Sequence, residues 1–262
     1  MIKNFAILNF IFAVLVSACT STGADRELVV FAASSLGDAF DEIASEFEEL
    51  HPGVDVVINY AGSSDLAAQL IEGAQADVFA SANEAQMQNL SDADLVDVEP
   101  AIFATNRLTI IVPTENPAAI YSPADLAKPG IRLVLAAPGV PVREYADQSL
   151  TLIGDAGFRA AVYANLVSEE QNVRQVAAKV ALGEADAGIV YVSDVTGDIA
   201  DLVLQIPIPD EHNVIASYPI ALLHEISNAE LAQAFVVFVL SERGQWILEK
   251  WGFGDRFFIS QG

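Results

Sequence analysis

One pattern occurs three times near the N-terminus: LVVFAASSLGDAF at 28–40, INYAGSSDLAAQL at 58–70 and ADVFASANEAQMQNL at 76–90. In each stretch, a short apolar run typical of a buried strand leads into a turn of small residues and then into a helical periodicity. Repeated alternation of strands and helices predicts a parallel α/β sheet. Each junction also places a turn at a helix N-terminus, where unpaired backbone N–H groups favour an anion.

The charge of the chain restricts what the junctions can bind. No lysine or arginine lies between Arg26 and Arg107, so neutral N–H and O–H groups must hold any anion bound there. The formal net charge is −24, which excludes nucleic acid as a partner because its phosphates would be repelled. The same acidity suits a cationic ligand and leaves that alternative open.

The N-terminal residues predict export and a lipid anchor. The apolar run at 5–16 has the length of a signal-peptide core and is short for a membrane span. VSAC at 16–19 resembles a bacterial lipobox, which implies a signal peptide at 1–18 and acylation of Cys19, the only cysteine. One acyl chain anchors weakly, so we expect more than one. Residues 19–27 would tether the protein in the cell envelope, on the periplasmic or extracytoplasmic side.

New strand patterns after residue 107 predict a second α/β unit. We expect lobe 1 to comprise 28–107 and 219–262, and lobe 2 to comprise 108–218. Ligands of open α/β sheets lie beyond the carboxyl ends of the strands. Two facing lobes therefore predict a ligand cleft that can close.

Five residues lie at strand-to-helix or strand-to-loop junctions: Ser35, Ser63, Ala82, Val173 and Tyr191. Each has an ordinary structural interpretation by itself, the serines as helix caps and the tyrosine as a core residue. Their shared position, at one edge of each lobe, indicates a binding site.

At these positions the chain resembles the substrate-binding proteins of molybdate ABC transporters. The matching motifs are FAASSL at 31–36, YAGSSDLA at 60–67, ADVFASA at 76–82, PGVP at 138–141 with Tyr145-Ala146, and GIVY at 188–191. The resemblance runs from about Leu28 to Phe253. It implies a two-lobe type II periplasmic binding protein that binds molybdate or tungstate, without a cofactor or catalytic activity. It also implies a monomer that delivers the anion to an ABC permease with its ATPase.

The family's pattern implies a role for each candidate residue. Ser35 and Ser63 would each donate from the hydroxyl and the backbone N–H, and Ala82 would donate its N–H from the same lobe. Val173 would donate its N–H, and Tyr191 its hydroxyl, from the other lobe. These residues would contact the oxygens of the oxyanion, and its metal only through them.

One position departs from the pattern. Val142-Arg143 stands where relatives usually have a small residue or glycine shortly after the proline. We expect Arg143 to be a solvated or ion-paired helix residue rather than an anion ligand. Asp65 is interpreted as a charge favourable to the first turn of its helix.

Other binding functions remain open from the residues alone. The alternative ligands are a sulfate-like oxyanion, a polyamine and ferric iron. For ferric iron, Tyr191 and Tyr218 would be the ligands. Against a polyamine, the three junctions contain no carboxylate apart from Asp65.

An enzyme or a transcription-factor effector domain is less well supported. The three histidines, His51, His212 and His224, lie in no recognisable catalytic motif, and neither G-x-S-x-G nor H-E-x-x-H occurs. A lipobox, and the absence of a DNA-binding helix pair from the sequence pattern, argue against a transcription factor.

Overall fold

The computed structural model describes residues 26–224 and 228–256. The strands are β1 (Arg26–Ala33), β2 (Val54–Ala61), β3 (Val78–Ala80), β4 (Ala101–Asn106), β5 (Leu108–Pro113), β6 (Leu133–Ala136), β7 (Leu166–Glu170), β8 (Ala187–Tyr191), β9 (Val203–Pro207) and β10 (Ala216–Leu222). The helices are α1 (Gly37–Leu50), α2 (Ser63–Ile71), α3 (Glu84–Asp92), α4 (Pro141–Ile153), α5 (Ala156–Ala164), α6 (Val173–Ala181), α7 (Gly197–Ala200), α8 (Ala229–Leu240) and α9 (Glu242–Lys250). Within these residues, no helix is both long and apolar enough to span a bilayer. The predicted signal peptide and Cys19 lie outside the described residues.

The strands form two mixed five-stranded sheets. In the first, with order β2-β1-β3-β10-β4, β1 pairs in parallel with β2 and β3, and β10 runs antiparallel to its neighbours. In the second, with order β7-β6-β8-β5-β9, β6 pairs in parallel with β7 and β8. From here on, lobe 1 denotes the unit built on the first sheet, and lobe 2 the unit built on the second.

Within the described residues, the chain passes between the sheets twice. It leaves lobe 1 at Arg107, between β4 and β5, and returns between Pro207 and Ala216. The predicted boundary at 218/219 therefore falls inside β10, because residues 216–218 already pair with β4. At the N-terminus, β1 begins at Arg26, so the last two residues of the predicted tether belong to the first strand.

The strand and helix patterns of the sequence did not predict three of these elements, β4, α5 and α7. A start signal for α5 is present, since the Asp155 side chain accepts a hydrogen bond of 2.9 Å from the N–H of Phe158.

An aromatic cluster fixes α1 on the sheet of lobe 1. The ring of Phe40 lies 5.7 Å from that of Phe103 and 6.1 Å from that of Phe235, while Phe47 lies 5.3 Å from Phe235. All four side chains are fully buried. The N-terminal end of α1, which follows Ser35, therefore rests on a rigid support.

The register of lobe 1 brings the three N-terminal junctions together. Ala33 at the end of β1 is level with Ala61 at the end of β2, and Ala32 is level with Ala80 at the end of β3. The turns that follow these strands consequently lie side by side at one edge of the sheet.

Candidate functional site

The five predicted site residues meet at one small cavity between the lobes. Its lining consists of Ala33, Ser34, Ser35, Ala61, Gly62, Ser63, Ala82, Val140, Pro141, Val142, Val173 and Tyr191. The cavity has a volume of about 10 Å³, which is about the space that one water-sized sphere occupies. A ligand enclosed here therefore has few heavy atoms.

Three helices begin at this cavity. Ser63 is the first residue of α2, Pro141 the first of α4 and Val173 the first of α6. The first-turn N–H groups of a helix lack partners within it, and the helix dipole places partial positive charge there. The cavity thus gathers backbone donors from both lobes, and no charged side chain lines it within the described part of the chain.

Val142 is a lining residue that the sequence interpretation left without a role. Proline has no N–H, so at the first position of α4 it leaves Val142 as the first residue whose N–H this helix can offer to the cavity. The signal was the PGVP turn, which ends on a proline suited to start a helix. The turn did not identify Val142 as a donor, because a backbone N–H is present whatever the side chain.

The backbone N–H of Ala82 is already engaged. It donates to Oγ of Ser63 at 3.0 Å, and both groups are buried. In this structure Ala82 therefore orients Ser63 instead of presenting its N–H to the cavity. Since one lone pair of Ser63 is occupied, the hydroxyl proton of Ser63 can point to a ligand.

Tyr191 brings an unpartnered hydroxyl to the cavity. Its side chain is 1% exposed, and within residues 26–224 and 228–256 its hydroxyl has no hydrogen-bond partner. A buried hydroxyl without a partner is costly, by about 1–3 kcal/mol. A ligand oxygen in the cavity would remove this cost.

Tyr218 does not line the cavity, so the two tyrosines do not offer a shared ferric-iron site there. Burial raises the pKa of both hydroxyls well above the ordinary value, so they are neutral hydrogen-bond donors in this structure. The rings pack edge-to-face with centroids 5.7 Å apart, and the Tyr218 hydroxyl lies in a hydrogen bond of 3.0 Å with Ser35.

Arg143 lies outside the cavity and is held by two carboxylates. Its Nε donates to Asp147 at 2.8 Å and its Nη1 to Glu169 at 2.6 Å. The side chain is largely buried rather than solvated, and the ion-paired interpretation agrees with these contacts. Asp65 is an exposed residue in the first turn of α2, as expected.

A family model described as bacterial extracellular solute-binding protein matches residues 28–254. The chain belongs to this family. The family comprises solute-binding proteins rather than enzymes, which confirms that this solute-binding protein is not an enzyme. Membership also places it on the extracytoplasmic side of the membrane.

Individual relatives of this solute-binding protein are known. It is 43% identical over 228 residues to the molybdate-binding protein ModA of Mycobacterium tuberculosis H37Rv, covering 87% of this chain and 84% of the relative. It is 30% identical over 267 residues to a putative ABC transporter substrate-binding lipoprotein, YvgL, of Bacillus subtilis, covering 97% and 99%.

A solved structure confirms the fold. The sulfate-binding protein SubI of M. tuberculosis matches with a TM-score of 0.77 and 20% identity, covering 87% of this chain and 86% of that one. The predicted two-lobe type II periplasmic-binding-protein fold is therefore correct.

Arg174 joins the two lobes beside the cavity of this solute-binding protein. From the first turn of α6 in lobe 2, its Nη2 pairs with Asp38 of lobe 1 at 2.7 Å, and its Nε donates to the carbonyl of Ser34 at 3.2 Å. On another side of the cleft, Asn83 of lobe 1 donates to Glu144 of lobe 2 at 2.8 Å. These contacts hold the lobes in a closed arrangement.

Asp194 is a fully buried carboxyl behind Tyr191. It accepts the N–H of Tyr191 at 3.0 Å, and its other oxygen lies 3.3 Å from Nε of Arg174. Burial raises its pKa to about 7, although Arg174 and the Tyr191 N–H act in the opposite direction. An unfolded aspartate has a pKa of about 3.9. Between these values the native protein holds a proton that the unfolded chain releases, so stability falls as pH rises.

We predict that Asp194→Asn removes this contribution. The free energy of unfolding of the wild type, relative to the variant, should fall from pH 4 to pH 7 and level off above about pH 7. Urea unfolding at a series of pH values measures it. Parallel profiles for the two proteins would contradict the assignment.

Asp186→Asn is the control with the opposite sign. Burial acts to raise the pKa of Asp186, but hydrogen bonds from Arg132 outweigh it and lower the pKa. The stability that Asp186 contributes should therefore be present above about pH 4 and lost as pH falls.

Proposed function

We propose that this protein captures molybdate or tungstate between its lobes and delivers the anion to an ABC permease with its ATPase. The observation that carries the proposal is the unpartnered hydroxyl of Tyr191 in a cavity lined by neutral donors. The 43% identity to the M. tuberculosis molybdate-binding protein supports molybdenum as the element.

The donor set suits a tetrahedral oxyanion. Hydroxyls come from Ser35, Ser63 and Tyr191, and first-turn N–H groups come from α2, α4 and α6. Each hydrogen bond to a charged acceptor contributes about 1.5–3 kcal/mol. Several such bonds offset the loss of hydration of a small dianion without a cation in the site.

The alternatives differ in how they fit the cavity. Among the described residues, no carboxylate lines it, which disfavours a polyamine or another cation. Sulfate is the stronger competitor, because the sulfate-binding protein SubI has the same fold. The preference for molybdate or tungstate therefore rests on the 43% identity to the molybdate-binding protein of M. tuberculosis.

Donors from both lobes make ligand binding favour the closed form. The closed arrangement leaves no room for a side chain at Gly62 of lobe 1, since an ideal Cβ would lie 2.5 Å from the carbonyl oxygen of Gln171 in lobe 2. Gly62 has a φ of −61°, which any residue adopts. The glycine is needed for the close approach of the lobes and not for its backbone conformation.

We further propose that the mature protein is a lipid-anchored monomer. The lipobox-like sequence before Cys19 supports acylation of that residue, and YvgL, named as a lipoprotein, aligns over 97% of the chain. An anchor would keep the binding protein close to its permease and raise the effective concentration of the pair.

We predict that molybdate and tungstate raise the melting temperature, whereas sulfate and spermidine do not. A ligand at about a thousand times its dissociation constant adds roughly 4 kcal/mol, which corresponds to about ten degrees here. Replacing both Ser35 and Ser63 by alanine should weaken molybdate binding at least about a hundredfold. Thermal unfolding and isothermal titration calorimetry measure both effects.

Ser149→Ala is the matched control for the serine variant. Its hydroxyl is buried in lobe 2, where it donates to the carbonyl of His212 at 2.6 Å, away from the cavity. It should lower stability and leave the molybdate affinity unchanged. A stabilisation by sulfate equal to that by molybdate would make the specificity proposal wrong.

We predict that Gly62→Ala prevents full closure. If only a tenth of the molecules remain able to close, the molybdate affinity falls about tenfold. Small-angle X-ray scattering should then show a smaller decrease in radius of gyration on adding molybdate than in the wild type. Gly157→Ala, on the exposed surface of α5, is the control that should close normally. Equal compaction of both variants would refute the clash at Gly62.

We predict that Cys19→Ser releases the protein from the membrane fraction. Acyl groups on the cysteine should appear as added mass in the mature wild type. Fractionation and mass spectrometry test this, with Ser21→Ala as the control that remains membrane-bound. An unmodified Cys19 in the mature protein would refute the anchor.

A further inference from the structure

A chain of hydrogen bonds runs from the crossing between the lobes to the cavity. Nδ2 of Asn106 donates to the hydroxyl of Tyr218 at 3.4 Å, and that hydroxyl lies 3.0 Å from Oγ of Ser35. We propose that Asn106 and Tyr218 are positioning residues that turn the hydroxyl proton of Ser35 towards the bound oxyanion. We call this chain, Asn106–Tyr218–Ser35, the hinge relay. The proposal rests on the oxyanion function proposed above.

The direction of the relay is set at Asn106. The backbone N–H of Arg107 donates to Oδ1 of Asn106 at 2.9 Å, which identifies the carbonyl side of the amide. The NH₂ group therefore faces Tyr218 and Ser193, and it donates to Oγ of Ser193 at 2.8 Å. An amide nitrogen only donates, so the Tyr218 oxygen must accept.

The position of the remaining protons follows from burial. Tyr218 is 0% exposed, so its hydroxyl proton needs an acceptor inside the protein. Oγ of Ser35, at 3.0 Å, is within hydrogen-bond distance. Among the described residues, the partners found for this hydroxyl are Ser35 and Asn106, and since Asn106 only donates to it, we assign its proton to Ser35. With one lone pair of Ser35 thus occupied, its own proton is directed to the cavity that Ser35 lines.

The same arrangement occurs independently at the second serine. The N–H of Ala82 donates to Oγ of Ser63 at 3.0 Å, which likewise leaves the Ser63 proton for the cavity. Both serine oxygens are therefore held as acceptors by the protein, and both serines become donors towards the ligand. Such preorganisation lowers the entropy lost on binding.

The relay also connects the lobes. Asn106 is the last residue of β4 before the crossing, and its partner Ser193 belongs to lobe 2. The ring of Tyr218 packs edge-to-face on Tyr191, with the centroids 5.7 Å apart. Tyr218 thus supports one hydroxyl donor from each lobe without lining the cavity itself.

Asn106→Asp tests the relay because it keeps the shape and reverses the polarity. A carboxylate only accepts, so Tyr218 would donate to it and Ser35 would donate to Tyr218. The lone pairs of Ser35 would then face the anion. The new negative charge also repels the anion directly, and a double-mutant cycle with Tyr218→Phe separates these two effects.

Molybdate binding is measured by calorimetry on the purified protein. We expect Tyr218→Phe to weaken binding about tenfold, the equivalent of one hydrogen bond to a charged group, and Asn106→Asp to weaken it about a hundredfold or more. In the Tyr218→Phe background, Asn106→Asp should cost at least about tenfold less, since only through-space repulsion remains.

Several results would overturn the relay. The relay is wrong if the losses of molybdate affinity caused by Asn106→Asp and Tyr218→Phe simply multiply in the double variant. It is also wrong if either single variant binds molybdate with the wild-type affinity. Tyr145→Phe is the matched control, since it removes a hydroxyl from a neighbouring ring whose partner is the N–H of Ser217 at 3.4 Å. It should bind molybdate like the wild type.

A second double-mutant cycle, which combines Asn106→Asp with Ser35→Ala, tests the relay without the Tyr218→Phe variant. In the Ser35→Ala background there is no serine proton to turn, so Asn106→Asp should again lose most of its effect even if Tyr218→Phe fails to fold. Wild-type protein that binds none of molybdate, tungstate, sulfate and phosphate would overturn the proposed function and the relay together. Binding by the wild type with uncoupled variants would overturn the relay alone.

Discussion

The cleft depends on the parallel pairing of β1 with both β2 and β3. This register sets Ala33 level with Ala61 and Ala32 level with Ala80, so three strand ends deliver their turns to one edge. A shift of one residue in either pairing would reverse which face each side chain occupies. Strands whose own residues are largely apolar thus bring Ser35 and Ser63 together. Closure of the lobes then places the donors of lobe 2 opposite this edge.

Local sequence predicted much of this arrangement, and long-range contacts account for most of what it missed. Junction motifs located Ser35, Ser63, Val173 and Tyr191 at the cavity because a strand end followed by a helix start is a local signal. The contact between Tyr218 and Ser35 was not predicted, since it joins positions 183 residues apart. A backbone donor such as Val142 carries no identifying side chain. Ala82 also offers a backbone N–H. It lies at the cavity as predicted, but its N–H donates to Ser63 and not, as expected, to the ligand.

The formal net charge is −24, yet none of the described residues that line the cavity is charged. Arg174 lies beside the cavity, and its guanidinium is opposed by Asp38 and Asp194, which match or exceed its charge. The cation therefore joins the lobes and does not serve as a simple counter-ion. A site built from neutral dipoles binds through the geometry of its donors, and geometry is what distinguishes one tetrahedral oxyanion from another of different size.

The antiparallel insertion of β10 between β3 and β4 has a consequence for how the protein is made. Lobe 2 is formed from a continuous segment and can fold once residues 108–207 are available. The sheet of lobe 1 lacks an interior strand until residues 216–222 have emerged, and α8 and α9 follow later still. The first-synthesised part of the chain is therefore completed last. Because the sheet of lobe 1 pairs strands from near both ends of the chain, it can be completed only when nearly the whole chain is available.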